Sequence, residues 1–179
     1  MKTVLENKTA IVTGASRGVG RATAEVFASA GANVVLAARS QSDIETIAGR
    51  INDSGGTALA QMTDVADAES VQALIDATVD RFGGIDILIN NAAVVEPVAQ
   101  VEDTDSDAWQ QNILVNVVGP YLTTRACLPH MRQQTSAAFI HVSSGAAVFN
   151  LSGASAYTAA KAALERFAGT LAEELKNSN

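Results

Sequence analysis

Residues 8–20, KTAIVTGASRGVG, decide the fold. Lys8 to Thr13 is a short β-branched apolar run that stops at Gly14, and from Gly18 to Ala30 the spacing becomes helical, with Val19, Ala22, Val26 and Phe27 on one stripe. Gly31 then stands where a C-terminal cap is expected. Gly14, Ser16, Arg17, Gly18, Val19 and Gly20 form the turn between this strand and this helix. Small residues there let a pyrophosphate approach the backbone, and the helix N-terminus supplies unpaired N–H groups and positive potential. The bare alternative is a tight strand-to-helix turn without a ligand. The spacing T-G-x-x-x-G-x-G also differs from the commoner G-x-G-x-x-G.

Outward from this stretch, strands and helices alternate. Asn33 to Ala38, NVVLAA, is apolar with little alternation, as suits a parallel strand covered on both faces. Ser42 to Asp53 reads as a helix with Ile44, Ile47, Ala48 and Ile51 inward, and Gly55-Gly56 ends it. Thr57–Met62 is the third strand, Asp67–Phe82 a helix ended by Gly83-Gly84, and Ile85–Ile89 the fourth strand. A long helix is predicted from Ala108 to about Arg132, a fifth strand from Ala137 to Val142, and a last helix from Ser155 to Lys176. Helices between strands imply β-α-β units, and right-handed crossovers put helices on both faces of a parallel sheet. The expectation is one α/β domain over residues 1–179, a doubly wound parallel sheet in three α/β/α layers with five strands, and no linker or repeat.

Composition narrows the function. Hydrophobic residues make up 47% of the chain and charged residues 17%, which is the balance of a folded core. A net charge of −7 without any Lys/Arg cluster argues against nucleic acid or an anionic membrane as partner. Cys127 is the single cysteine, so no intramolecular disulfide is possible, and a reducing cytoplasm is the plain reading. MKTVLENKTAIVTG carries no secretory apolar core.

Two further stretches carry chemistry. After the second strand the chain reads Ala37-Ala38-Arg39, with no carboxylate where an NAD site places one against the ribose hydroxyls. Arg39, with Arg17, could instead grip a 2′-phosphate through charge-assisted contacts, which favours NADP(H) over NAD; the bland reading is two solvated arginines. In IHVSSGAAVFNLSGASAYTAAK, residues 140–161, Tyr157 and Lys161 are four apart and share a helix face. A cation beside a phenol favours phenolate and makes a proton donor usable near neutral pH. Ser144, arriving from a strand end, could hold a substrate oxygen beside that phenol.

The glycine turn, Asn90-Asn91-Ala92, Asn116, Ser144 and Tyr157-x-x-x-Lys161, in that order, make the chain similar to the short-chain dehydrogenase/reductase family over essentially all 179 residues. The resemblance implies a Rossmann-like fold and hydride transfer between a nicotinamide cofactor and a carbonyl or alcohol carbon. It implies that Tyr157 is the general acid, or the base in the oxidative direction, that Lys161 assists it and holds the nicotinamide ribose, and that Ser144 positions the carbonyl oxygen. Asp64 with Val65 matches the position that contacts adenine, and Asn90 and Ala92 match the segment lining the cofactor. The family usually has glycine where this chain has Ala93, and tolerance is expected there. The resemblance further implies that the Asn116 carbonyl holds a proton-relay water at a distortion in the long helix. Pro120 lies four residues later and has no N–H to give that carbonyl, so it helps free it, unless it only kinks the helix for packing.

Glu96-Pro97-Val98 and Ser143-Ser144-Gly145-Ala146-Ala147 are softly similar to the sepiapterin and benzil reductase-like branch, which implies reduction of a ketone or dicarbonyl. The family's last two strands are not in these 179 residues, so the fifth strand is expected to form an uncovered edge. A nucleotide-binding or dimerisation module without turnover is the alternative to an enzyme. The family's usual dimer implies a homo-oligomer through the two long helices. His130 and His141 offer no metal cluster, Glu102 to Asp107 reads as a solvated helix lead-in, and Cys127 and Trp109 read as packing.

Overall fold

The computed structural model describes residues 3–176; the outermost residues of the 1–179 span lie outside the described residues. Five strands form one parallel sheet in the order β3-β2-β1-β4-β5. They are β1 (Thr9–Thr13), β2 (Asn33–Ala38), β3 (Thr57–Met62), β4 (Ile87–Asn90) and β5 (Ala138–His141). Ile11 stands opposite Val35 on one side and Leu88 on the other, so β1 is the central strand. Every residue of β1 and β4 is buried, as a run covered on both faces requires, whereas Ala138 and Ile140 of the edge strand β5 are exposed. The uncovered edge expected at the fifth strand is therefore present.

Alternation along the strands feeds two cores. Ala10, Val12, Val34 and Leu36 pack under Ala24 and Ala28 of α1 (Gly18–Ser29) and Ile44, Ile47 and Ile51 of α2 (Gln41–Asp53). Ile11, Val35 and Leu88 face the other way, toward Leu74 and Ile75 of α3 (Ala68–Phe82) and Cys127 and Met131 of α5 (Gly119–Met131). These are the three layers of a Rossmann-like α/β fold.

The long helix carries, at Asn116, the distortion that the family resemblance implies. It begins at α4 (Ser106–Ile113), where the Asp105 carboxylate caps the Ala108 N–H at 2.7 Å. It then widens into a π-helical stretch, Leu114–Val118, before continuing as α5. Pro120 sits in the first turn of α5, where its missing N–H leaves the carbonyl four residues back without the usual donor. The last helix, α6 (Ser155–Leu175), packs against α4, the π stretch and the short turn Gly145–Ala147.

The fourth strand also starts two residues later than expected. Asp86 lies ahead of the strand yet stays joined to both neighbours, its N–H donating to the Thr9 carbonyl and its carbonyl accepting the Ala138 N–H, each at 2.9 Å, while its carboxylate accepts the Thr9 N–H at 2.9 Å and pairs with Lys8 Nζ at 2.7 Å. The result is a buried clamp at the N-terminal ends of β1 and β4.

Candidate active site

The chain runs outward from β1 to β2 and β3, then returns to β4 and β5 on the opposite side of β1. Such a reversal opens a crevice at the carboxyl ends of the two diverging strands. Thr13 shapes it. The Thr13 hydroxyl accepts the Asn91 and Ala92 N–H groups, each at 3.0 Å, and so ties the tip of β1 to the loop after β4. Gly14, at φ +66°, lets the chain turn there, and a Cβ at this position would meet the Ala92 Cα at 2.7 Å. Gly18, at φ +57°, has nothing within 4 Å of where a Cβ would stand, so its face of the turn is open.

The crevice has a volume of about 500 Å³. It is lined by Gly14, Ser16, Arg17, Gly18 and Val19 after β1, Arg39, Ser40 and Asp43 after β2, Asp64 and Val65 after β3, and Ala92 to Val94 after β4. An open glycine turn at the N-terminus of α1 fits a dinucleotide pyrophosphate. Among the described residues neither Arg17 nor Arg39 is ion-paired, the salt bridges being Lys8–Asp86, Arg21–Glu25 and Lys176–Glu173. The Asp43 carboxylate is held at 2.6 Å by Ser40. Ala93 occupies the family's glycine position without strain, because Asn7 alone among the described residues carries a side chain at positive φ.

Gly20 and Asn90 stand behind the crevice instead of lining it. A Cβ on Gly20 would collide with the Gly14 carbonyl, so this glycine permits close packing of α1 on β1. Asn90 is 4% exposed, accepts Thr123 Oγ1 at 2.7 Å and points its amide nitrogen at Thr124 and at His141 Nδ1. Its neighbour Asn91 lines the crevice and donates to the carbonyls of Thr13 and Gly14 at 2.9 and 3.2 Å. Asn91 is not among the residues singled out from the sequence, although strand alternation places it on the opposite side from Asn90.

Tyr157 and Lys161 are together on α6, with Lys161 Nζ 5.6 Å from the centre of the Tyr157 ring. Lys161 is 3% exposed, and its ammonium donates to the Val142 carbonyl at 2.7 Å. Burial holds its pKa below the ordinary 10.5. A buried ammonium facing a neutral carbonyl is a costly arrangement for packing alone. Ser144 precedes the turn Gly145–Ala147 against which α6 rests, and its hydroxyl accepts the Ala146 N–H at 3.2 Å.

Asn116 lies in the π stretch, 1% exposed. Its side chain is engaged on Val94, accepting the N–H at 3.0 Å and donating to the carbonyl at 2.7 Å, and it donates also to Asn112 Oδ1 at 2.7 Å. These bonds hold its side chain in the wall, away from any substrate. Asn112 was absent from the sequence-derived candidates. The signal was the repeat Asn112-x-x-x-Asn116, two amides on one helix face beside an apolar stripe.

A doubly wound sheet, a glycine turn open to a dinucleotide, and a buried lysine beside a tyrosine define a nicotinamide-type oxidoreductase scaffold. A family model described as short chain dehydrogenase matches residues 8–179, and the chain belongs to that family. It is 38% identical over 97% of its length to a short chain dehydrogenase of Pseudocercospora fijiensis, spanning 57% of that protein. It is 38% identical over 97% of its length to a 3-oxoacyl-acyl-carrier-protein reductase of Synechocystis, spanning 70% of that protein. A crystal structure of a metagenomic short-chain oxidoreductase in complex with NADP superposes with a TM-score of 0.93 at 33% identity, over 97% of this chain and 79% of the other. The chain thus spans little more than half of the first of these relatives. None of the three assigns it to the sepiapterin and benzil reductase-like branch.

Proposed function

We propose that the protein transfers a hydride between NADP(H) and a carbonyl or alcohol carbon, in the direction of ketone or dicarbonyl reduction, with Tyr157 as general acid. The buried Lys161 ammonium beside the Tyr157 ring, with no ion pair among the described residues, is the observation that carries this reading. A nicotinamide supplies the hydride when bound. Gly14, Ser16, Gly18 and Val19 would hold its pyrophosphate, Arg17 and Arg39 the 2′-phosphate, Asp64 and Val65 the adenine, and Ala92 the segment leading to the reacting end. Gly20 and Asn90 support that wall from behind. The NADP-bound structural relative and the unpaired Arg17 and Arg39 support NADP over NAD.

Tyr157 would donate its phenolic proton to the developing alkoxide, with the Lys161 ammonium beside the ring to offset the charge left behind. Ser144 would hold the same oxygen, and the Asn116 carbonyl would seat the water that returns a proton toward Lys161. In the loops after β4 and β5, Val98, Val148, Phe149 and Leu151 are 66, 71, 68 and 49% exposed. The loops 91–101 and 143–155 carry no lysine or arginine, which supports a neutral apolar carbonyl compound. The setting proposed is cytoplasmic, as a homo-oligomer associating through α4–α5 and α6. A nucleotide-binding module without turnover is the alternative reading.

NADPH consumption with a panel of diketones, ketones and aldehydes tests the enzyme reading. Tyr157→Phe is expected to lower kcat at least ~100-fold while NADPH affinity stays within about twofold. Arg39→Ala is expected to weaken NADPH about tenfold, the worth of one charge-assisted contact, and to leave NADH unchanged. Tight NADPH binding without turnover by the unaltered chain would establish the module instead.

A further inference from the structure

Asn112 is fully buried, and its Nδ2 lies 3.1, 3.3 and 2.8 Å from the carbonyl oxygens of Val94, Val95 and Glu96. An amide nitrogen has two hydrogens, so one of them is shared and three successive carbonyls curl around a single side-chain atom. Helix α4 has no need of an asparagine here. Leucine has the better helix propensity, and burying an amide is unfavourable unless it is fully hydrogen-bonded. The partners that account for this residue are in the loop after β4 and in the π stretch.

Those partners belong to the reacting end of the crevice. Val94 lines it after β4, and the same loop continues to the exposed Val98. Asn112 Oδ1 accepts the Asn116 amide at 2.7 Å, which leaves Asn116 oriented to grip Val94 from both sides. We infer that Asn112 is a positioning residue: it fixes the Val94–Glu96 wall against which the nicotinamide and the carbonyl compound lie, and it orients Asn116. The inference rests on the oxidoreductase reading for what the wall touches, and on the hydrogen bonds alone for what holds it.

Asn112→Asp keeps the shape and removes both N–H donors; Asn112→Leu is the second variant should the carboxylate impair folding. Calorimetric affinities are compared for NADPH and for 2′,5′-ADP, which has the phosphate end and lacks the nicotinamide. Each variant is expected to bind NADPH about tenfold more weakly, about the loss of one or two hydrogen bonds, and 2′,5′-ADP within about twofold. In turnover the KM for the carbonyl compound rises, and kcat per titrated NADPH site falls with it in Asn112→Leu, where Asn116 is no longer held. NADPH bound normally by both variants overturns the inference, and so does equal weakening of both ligands, which general loss of structure would cause. Wild-type chain that binds NADPH and never oxidises it counts against the oxidoreductase reading alone, because the affinity comparison needs no turnover.

Discussion

His141 stands directly across from Asn90 in the β4–β5 register, with its Nδ1 3.3 Å from the Asn90 amide nitrogen and its ring edge-on to Phe167. Because Asn90 Oδ1 is occupied by Thr123, the amide presents N–H to the ring, so Nδ1 accepts and the proton belongs on Nε2. That Nε2 is buried without a partner. A second proton would set two donors face to face, and burial lowers the histidine below its ordinary 6.5. The sign follows from linkage. Above about pH 6.5 both states are neutral; below it the unfolded chain takes up a proton that the folded chain resists, so stability falls with pH until the folded state titrates too. Thermal melts at pH 7, 6 and 5 are expected to show a smaller acid-side loss for His141→Gln than for the wild type; parallel curves would refute this. Lys161 follows the same sign at the alkaline end, its cost present at neutrality and relieved as pH rises toward 10.5.

Among elements, the interrupted helix is the informative one. Ala108 to Arg132 reads as one run of helix-compatible residues, and nothing in propensity or apolar spacing announces that residues 114–118 adopt the wider π turn. Pro120 was the one local sign, since it withdraws a donor from the preceding turn. Pro120→Ala is expected to shift the acid limb of the pH-rate profile, because the new N–H competes for the Asn116 carbonyl; an unchanged profile would leave the proline a packing role. The β-α alternation was readable because the strands are apolar runs and the first three helices end at glycine, at Gly31, Gly55-Gly56 and Gly83-Gly84. The site was readable where side chains reach outward from an element's end, as at Arg39 and the glycine turn. It was harder to read at Asn91 and Asn112, where alternation and the i, i+4 amide pair show which face each residue takes but not its partners, backbone groups 78 and 18 residues distant.

On the scale of the molecule, the parallel sheet has two unlike ends. The carboxyl ends of the strands open onto the crevice, while the amino ends of β1 and β4 are closed by Asp86, which joins Lys8 and the Thr9 N–H; Lys8 also donates to Ser136 at 3.2 Å, ahead of β5. Asp86 is 6% exposed, so Asp86→Ala leaves a buried N–H unpaired. The expected loss is about 2 kcal/mol, read as a lower urea midpoint, with NADPH affinity unchanged. A parallel change in affinity would show that the two ends are coupled. Every strand in this sheet begins at one pole and delivers its last residue to the other. Heat tolerance can therefore be bred at residues 6–9, 84–87 and 135–138 by directed evolution, in a library that samples the molecule's resilience and leaves its chemistry unsampled.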